Sequence, residues 1–214
     1  MRGGLERSAK EIKDTERRYL DGLGAKWENF EGKKILDVGA NNVAFQRAAR
    51  QHDAEVTSFD KYADREEWEQ DGLSPDEEDK FVQGLAEKMP FSENSFDVVI
   101  CHAGPFVLTS NRDSIEVMFS EAQRVLNPGG ELRVGRTFIL PKEEETPFEG
   151  QELKIVGRQN MLQARARQFI QDIAQKYHFE IAEFRMHKRN REGFAYCHYV
   201  LRKPLVIAGE TAGG

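Results

Sequence analysis

The chain has 214 residues with 31 Lys and Arg against 37 Asp and Glu, a formal net charge of -6, which argues against a general polyanion binder. With 39% hydrophobic residues, 14 Phe and 2 Trp, there is material for a core, so global disorder is excluded. No apolar run approaches the ~20 residues of a membrane span, and the first residues lack the apolar centre of a signal peptide.

Before Gly32, Leu5, Ile12, Tyr19, Leu20, Leu23 and Trp27 recur at helical spacing with charges between them. That amphipathic helix leads into KKILDVGA, a short apolar run ending at a glycine. VAFQRAARQHDA then reads as a helix and EVTSFD as an alternating strand, a βαβ beginning that points to a parallel sheet. A long polar stretch, KYADREEWEQDGLSPDEEDK, follows. FVQGLAEKMPF holds a third short strand, and SFDVVICHAG a fourth, strongly apolar one. SIEVMFSEAQRVL is helical, NPGG stops it, and ELRVGRTFIL is a fifth strand. After the loop PKEEETPFEGQE comes a helix near Met161–Tyr177. Two last strands, FEIAEFRM and GFAYCHYVLRK, are joined by the basic turn HKRNRE. The pattern predicts a Rossmann-like, doubly wound α/β fold of seven strands, mostly parallel with an antiparallel last pair. Residues 1–30 form an N-terminal helical extension, 31–204 the domain and 205–214 a tail.

In open α/β sheets, ligands bind beyond the carboxyl ends of the strands. The first such end is Asp37-Val38-Gly39-Ala40-Asn41-Asn42, and Asp60 closes the second strand 21 residues past Gly39. That separation suits an acid gripping a ribose hydroxyl pair. Gly39, Asn41 and Ala44 fall at the positions of a dinucleotide fingerprint, but Asp37 argues against a pyrophosphate there, because a carboxylate repels it. A ligand carrying an ammonium group would want that carboxylate.

ILDVGANN, SFD, GLAEKMPFSENSFDVVICHA and EAQRVLNPGGELRV, in this order over roughly residues 33–140, resemble a class I S-adenosylmethionine-dependent methyltransferase of the small single-domain kind. The antiparallel last strand pair is similar too. The resemblance implies S-adenosylmethionine as cofactor, with Asp37 facing its amino group and Gly39, Ala40 and Asn41 in the first loop. It places Asp60 on the ribose hydroxyls, Lys61 beside the adenine, and Leu85, Ala86 and Glu87 along the adenine edge. Cys101 and His102 match the end of the fourth strand, near the methionine moiety and the substrate entrance.

The first loop has Asn41 and Val43 where the family usually has glycines, and Leu85 stands where an acid often accepts the adenine amine. Asn tolerates a left-handed backbone, whereas a β-branched residue does not. One lost hydrogen bond is worth about 0.5–1.5 kcal/mol. His102 is the candidate general base, weighed against a structural histidine. Cys101 and Cys197 lie in apolar strands with no metal-ligand spacing, so two buried thiols, no metal and a reduced cytoplasmic protein are expected. Tyr19 and Trp27 are candidates for a lid, although aromatic residues at helical spacing are more often core.

Charge is uneven. Residues 62–97 are strongly acidic, while Arg158, Arg165, Arg167, Lys176, Arg185, Lys188, Arg189, Arg191, Arg202 and Lys203 make the C-terminal part basic. That leaves room for an anionic small-molecule acceptor and argues against broad nucleic-acid or membrane partners. The expected function is methyl transfer to a small acceptor near His102 and Phe106, entering between the N-terminal helix, residues 104–111 and residues 141–151. The main alternative is a methyltransferase fold that has lost catalysis and serves as a binding or regulatory protein. A nicotinamide-dependent oxidoreductase ranks third.

Overall fold

In the computed structural model, residues 9–41, 44–62, 80–105, 112–137, 155–187 and 197–205 are described. Seven strands form one sheet in the order β3-β2-β1-β4-β5-β7-β6. They are β1 (Lys34–Val38), β2 (Glu55–Asp60), β3 (Phe81–Gln83), β4 (Phe96–His102), β5 (Leu126–Thr137), β6 (Glu180–Met186) and β7 (Cys197–Arg202). β1 to β5 run parallel, and β7 pairs antiparallel with both β5 and β6. The expected Rossmann-like sheet, with its antiparallel last pair, is therefore the observed one.

Strand alternation divides the core in two. On one face, Leu36, Val38, Val99, Cys101, Leu132 and Val134 pack with residues of α3 (Arg112–Val125) and α4 (Ile155–Lys176). On the other, Ile35, Val98 and Ile100 pack with Leu23, Phe30 and Phe45, brought by α1 (Ala9–Leu23), the turn after it and α2 (Ala44–Ala49). α1 ends in a Schellman turn: Gly24 is left-handed at φ 59°, Ala25 N–H donates to the Leu20 carbonyl (2.9 Å) and Gly24 N–H to that of Asp21 (3.3 Å). Trp27 consequently lies outside the helix, stacked on Phe45 and on His52.

Several boundaries differ from the sequence reading. The helix expected through Ala54 is regular only to Ala49 and tightens over Arg50–His52. α4 begins at Ile155, ahead of Met161. β5 begins at Leu126, so NPGG belongs to the strand instead of separating helix from strand. Its two glycines are tied to the far end of the chain: Gly129 N–H donates to the Lys203 carbonyl and Lys203 N–H to that of Gly130. The Lys203 ammonium donates to the Gln123 and Leu126 carbonyls, capping α3.

The motif residues nearest the amino ends of the strands form a framework. Asp97 accepts from the Lys34 backbone N–H (2.9 Å) and the Asn127 amide (2.8 Å), joining β1, β4 and the start of β5. Arg124 pairs with Glu121 and donates to the carbonyls of Met89 and Phe91, while Glu121 accepts from Met89 N–H. This clamp fixes the segment that follows Leu85–Glu87.

Candidate functional site

The carboxyl ends of β1, β2, β3 and β4 converge where the motif residues lie. Gly39 and Ala40 N–H groups donate to the Phe59 carbonyl, so the loop after β1 is pinned to β2. Gly39 is left-handed at φ 80°, and a Cβ there would lie 2.4 Å from Pro105 Cδ and 2.9 Å from Gly104 Cα. Its missing side chain thus admits the loop that follows β4. Asn41 is also left-handed, at φ 54°, the conformation that Asn accepts most readily among non-glycine residues. Val43 lies outside the described residues.

Asp60 spans two segments. Its Oδ2 accepts from Asn41 N–H (3.0 Å) and its Oδ1 from Tyr62 N–H (2.8 Å). Each carboxylate oxygen has a second lone pair that can accept a hydroxyl. Beyond Asp60 the two chain segments stay together: Gly84 N–H donates to the Asp60 carbonyl (3.0 Å), and the Gln83 amide to that of Lys61 (3.1 Å). They carry Tyr62 and Leu85, 74% and 57% exposed, the largest apolar side chains left open near this site. Lys61 places its ammonium over the Tyr62 ring. Ala86 is buried and Glu87 half-buried behind them.

Asp37 is the most unusual member. It is 1% exposed, and neither carboxyl oxygen has a well-formed hydrogen bond. Burial, then the Asp60 charge, push its pKa up to about 8, while the nearby Tyr19 hydroxyl lowers it. Tyr19 reaches this place from α1, its ring stacked on Phe45 (4.8 Å) and on His102 (4.4 Å). Beside Asp37 in sheet register is Ser58, whose partner Gln46 reaches in from α2 at 2.8 Å.

His102 lies on the same sheet face as Asp37 and Tyr19, with a ring nitrogen bonded to the Arg18 backbone and Nε2 without a partner. A Cβ at Gly22 would lie 2.4 Å from Nε2, so the imidazole edge is pressed against α1. Burial, with the charges of Arg136 and Arg18, brings its pKa down to about 4. Cys101 faces the opposite way, fully buried in the α3–α4 core. Strand alternation therefore separates the two neighbours.

Asp37, Gly39, Ala40, Asn41, Asp60, Lys61, Leu85, Ala86 and Glu87 thus lie at or just beyond the carboxyl ends of β1, β2 and β3, with His102 at the end of β4 on the α1 side and Cys101 on the opposite face of the sheet. Phe106 and residues 141–151, expected near the acceptor, lie outside the described residues, as do Lys188, Arg189 and Arg191. Of the other basic residues, Lys176 pairs with Glu116, Arg185 with Glu183 and Arg202 with Glu131. Sequence reasoning did not single out Tyr62, Ser58 or Gln46. A glutamine between Phe45 and Ala48, in a helix that buries both, was the available signal for the last.

Among the described residues, no helix is long and apolar enough to cross a membrane, and no group of three or more His, Cys, Asp or Glu is arranged to hold a metal ion.

Residues 36–134 match a protein family described as a methyltransferase domain. The chain is 32% identical over 124 residues to a sterol 24-C-methyltransferase of Pneumocystis carinii, covering 58% of this chain and 27% of that one. It is 32% identical over 148 residues to a ubiquinone/menaquinone biosynthesis C-methyltransferase of Dinoroseobacter shibae, covering 66% and 53%. The chain thus spans between about a quarter and about half of the length of these curated relatives. Among solved structures it shares the fold of a SAM-dependent methyltransferase from Methanosarcina mazei, with TM-score 0.55, 19% identity and coverage of 83% and 96%.

Proposed function

We propose that the chain, whose residues 36–134 match a methyltransferase-domain family and whose fold is that of a SAM-dependent methyltransferase, binds S-adenosylmethionine and transfers its methyl group to a small-molecule acceptor. The observation that carries this reading is the pairing of two acids of opposite environment at neighbouring strand ends. Asp37 is buried with the Tyr19 hydroxyl nearby but no well-formed hydrogen bond, and Asp60 is held by two backbone amides. A ligand with an ammonium group at one end and an adenosine at the other meets both needs. Asp37 holds the ammonium, Asp60 accepts the ribose hydroxyls, and Tyr62 and Leu85 offer apolar surface to the purine. A pyrophosphate brings no cation to Asp37 and would leave the buried acid without a counter-charge.

The sulfonium of the bound cofactor makes its methyl group electrophilic; the protein's part is alignment and the exclusion of water. Tyr19 and His102 wall the site on the α1 side. His102, with its low pKa and its Nε2 turned to Gly22, serves as a neutral wall better than as a general base. The acceptor would enter over the ends of β4 and β5. Lys176, Arg185 and Arg202 already have acidic partners, so an anionic acceptor would have to draw on other basic residues of the C-terminal part.

The rival reading, a fold that binds without catalysing, rests on Asn41, Val43 and Leu85. Asn41 weighs little for it, because its backbone keeps the left-handed form that a glycine would supply. Calorimetry with S-adenosylhomocysteine and NAD separates the readings: the first should bind and the second should not. Absence of binding at millimolar S-adenosylhomocysteine removes the methyltransferase reading. Binding of S-adenosylhomocysteine and of S-adenosylmethionine, without methyl transfer to any acceptor in a chemically broad panel, favours the rival.

A further inference from the structure

The space between α1, α2 and the sheet holds more polar groups than helix packing requires. Asp37 has two unpartnered oxygens, and Gln46 Nε2 is unpartnered beside it. Ser58 shares the pocket at 0% exposure. Tyr19 closes it, its ring held between Phe45 and His102 and its hydroxyl toward Asp37. Among the described residues, the titratable groups facing Asp37 are Tyr19 from α1 and Asp60 from β2; α2 contributes only the neutral Gln46. Tyr19 in turn faces Asp37 and Asp60, while Cys101 acts on it only from the opposite face of the sheet, and His102 beside it faces Arg18 and Arg136. Among the described residues, no cation reaches the carboxyl. A carboxylate stripped of water with no cation or full set of donors is held as the neutral acid, in keeping with its raised pKa.

We propose that Asp37 is a neutral carboxylic acid under Tyr19 in the free protein, and that a ligand's ammonium group seated beside it drives its proton into solvent, with Tyr19 the positioning residue that keeps water from the acid. The inference rests on the S-adenosylmethionine reading above. The carboxyl O–H bond breaks, the proton passes to buffer, the ammonium keeps its three protons, and a carboxylate–ammonium pair remains. Nothing is oxidised or reduced. Because both oxygens are covered, the Tyr19 ring has to shift for the ammonium to arrive, so ligand binding and the seating of α1 are coupled.

The test is calorimetric titration of the full chain with S-adenosylhomocysteine at pH 7, in buffers of different ionisation enthalpy. The expected result is release of about one proton per ligand bound, declining as the pH passes about 8. Asp37→Asn should release none. Tyr19→Phe, which keeps the ring, should retain the release; Tyr19→Ala, which admits water, should reduce it. Carbon NMR of the free wild-type protein gives a reading that needs no variant: the Asp37 carboxyl should titrate near pH 8. Binding without proton release, or titration of Asp37 in the ordinary carboxylate range, overturns this inference and leaves the cofactor reading intact. Failure of S-adenosylhomocysteine to bind overturns both.

Discussion

Gly22 of α1 and Gly135 of β5 pack backbone to backbone: a Cβ on Gly135 would lie 2.2 Å from the Gly22 carbonyl oxygen and 3.0 Å from the Leu23 nitrogen. No side chain fits there, and the atoms in the way are main chain, which cannot swing aside. The same end of the helix approaches His102 through Gly22 and His198 through Gly24. Three glycines thus let α1 lie close enough to the sheet for Tyr19 to reach Asp37.

Gly135→Ala should therefore lift the end of α1 while leaving the sheet assembled. Overpacking of this kind costs about 1–3 kcal/mol, seen as a lower unfolding midpoint. Hydrogen exchange in α1 should rise more than in β1 or β4. Uniform protection across the helix and the sheet would mean that α1 is not seated through this contact.

His102 gives a pH signature. Its folded pKa of about 4 lies below the ordinary value of 6.5, so between those values the unfolded chain binds a proton that the folded chain does not. Stability from this residue is complete above pH 6.5 and is lost as the pH falls toward 4. His102→Gln should remove this part of the acid loss, up to about 3 kcal/mol at pH 4. Denaturant unfolding of both proteins from pH 7 to pH 4 measures it. A wild-type slope matching the variant's would place the imidazole in solvent.

Leu85 offers a gain-of-affinity test. It is 57% exposed, so Leu85→Asp should cost little stability while supplying an acceptor for the adenine amine. S-adenosylhomocysteine should bind up to about tenfold more tightly. Unchanged or weaker binding would place the adenine away from residue 85.

How much of this was legible beforehand depends on the distance over which each feature is decided. EVTSFD is a strand by its own alternation and is β2 residue for residue. The carboxyl-end rule then brought Asp37 and Asp60 to neighbouring positions, as the pairing of β1 with β2 requires. The NPGG segment was misread because its partner, Lys203, lies more than seventy residues along the chain. Likewise, Gly22, Gly24 and Gly135 look unremarkable until the helix lies on the sheet. Cys101 and His102 were grouped because they are adjacent in sequence, although adjacent strand residues face opposite ways. The motifs that carry the resemblance, SFDVV, EAQRVL and NPGG, include framework residues, Asp97, Glu121, Arg124 and Asn127, that tie strands and loops together away from Asp37 and Asp60.

We propose Asp37 as the anchor of a cofactor site rather than a helix-packing residue. Titrating S-adenosylhomocysteine into wild-type and Asp37→Ala protein by calorimetry addresses it most directly. The account predicts more than tenfold weaker binding in the variant, a loss above about 1.4 kcal/mol. Equal affinity in the two proteins would contradict it.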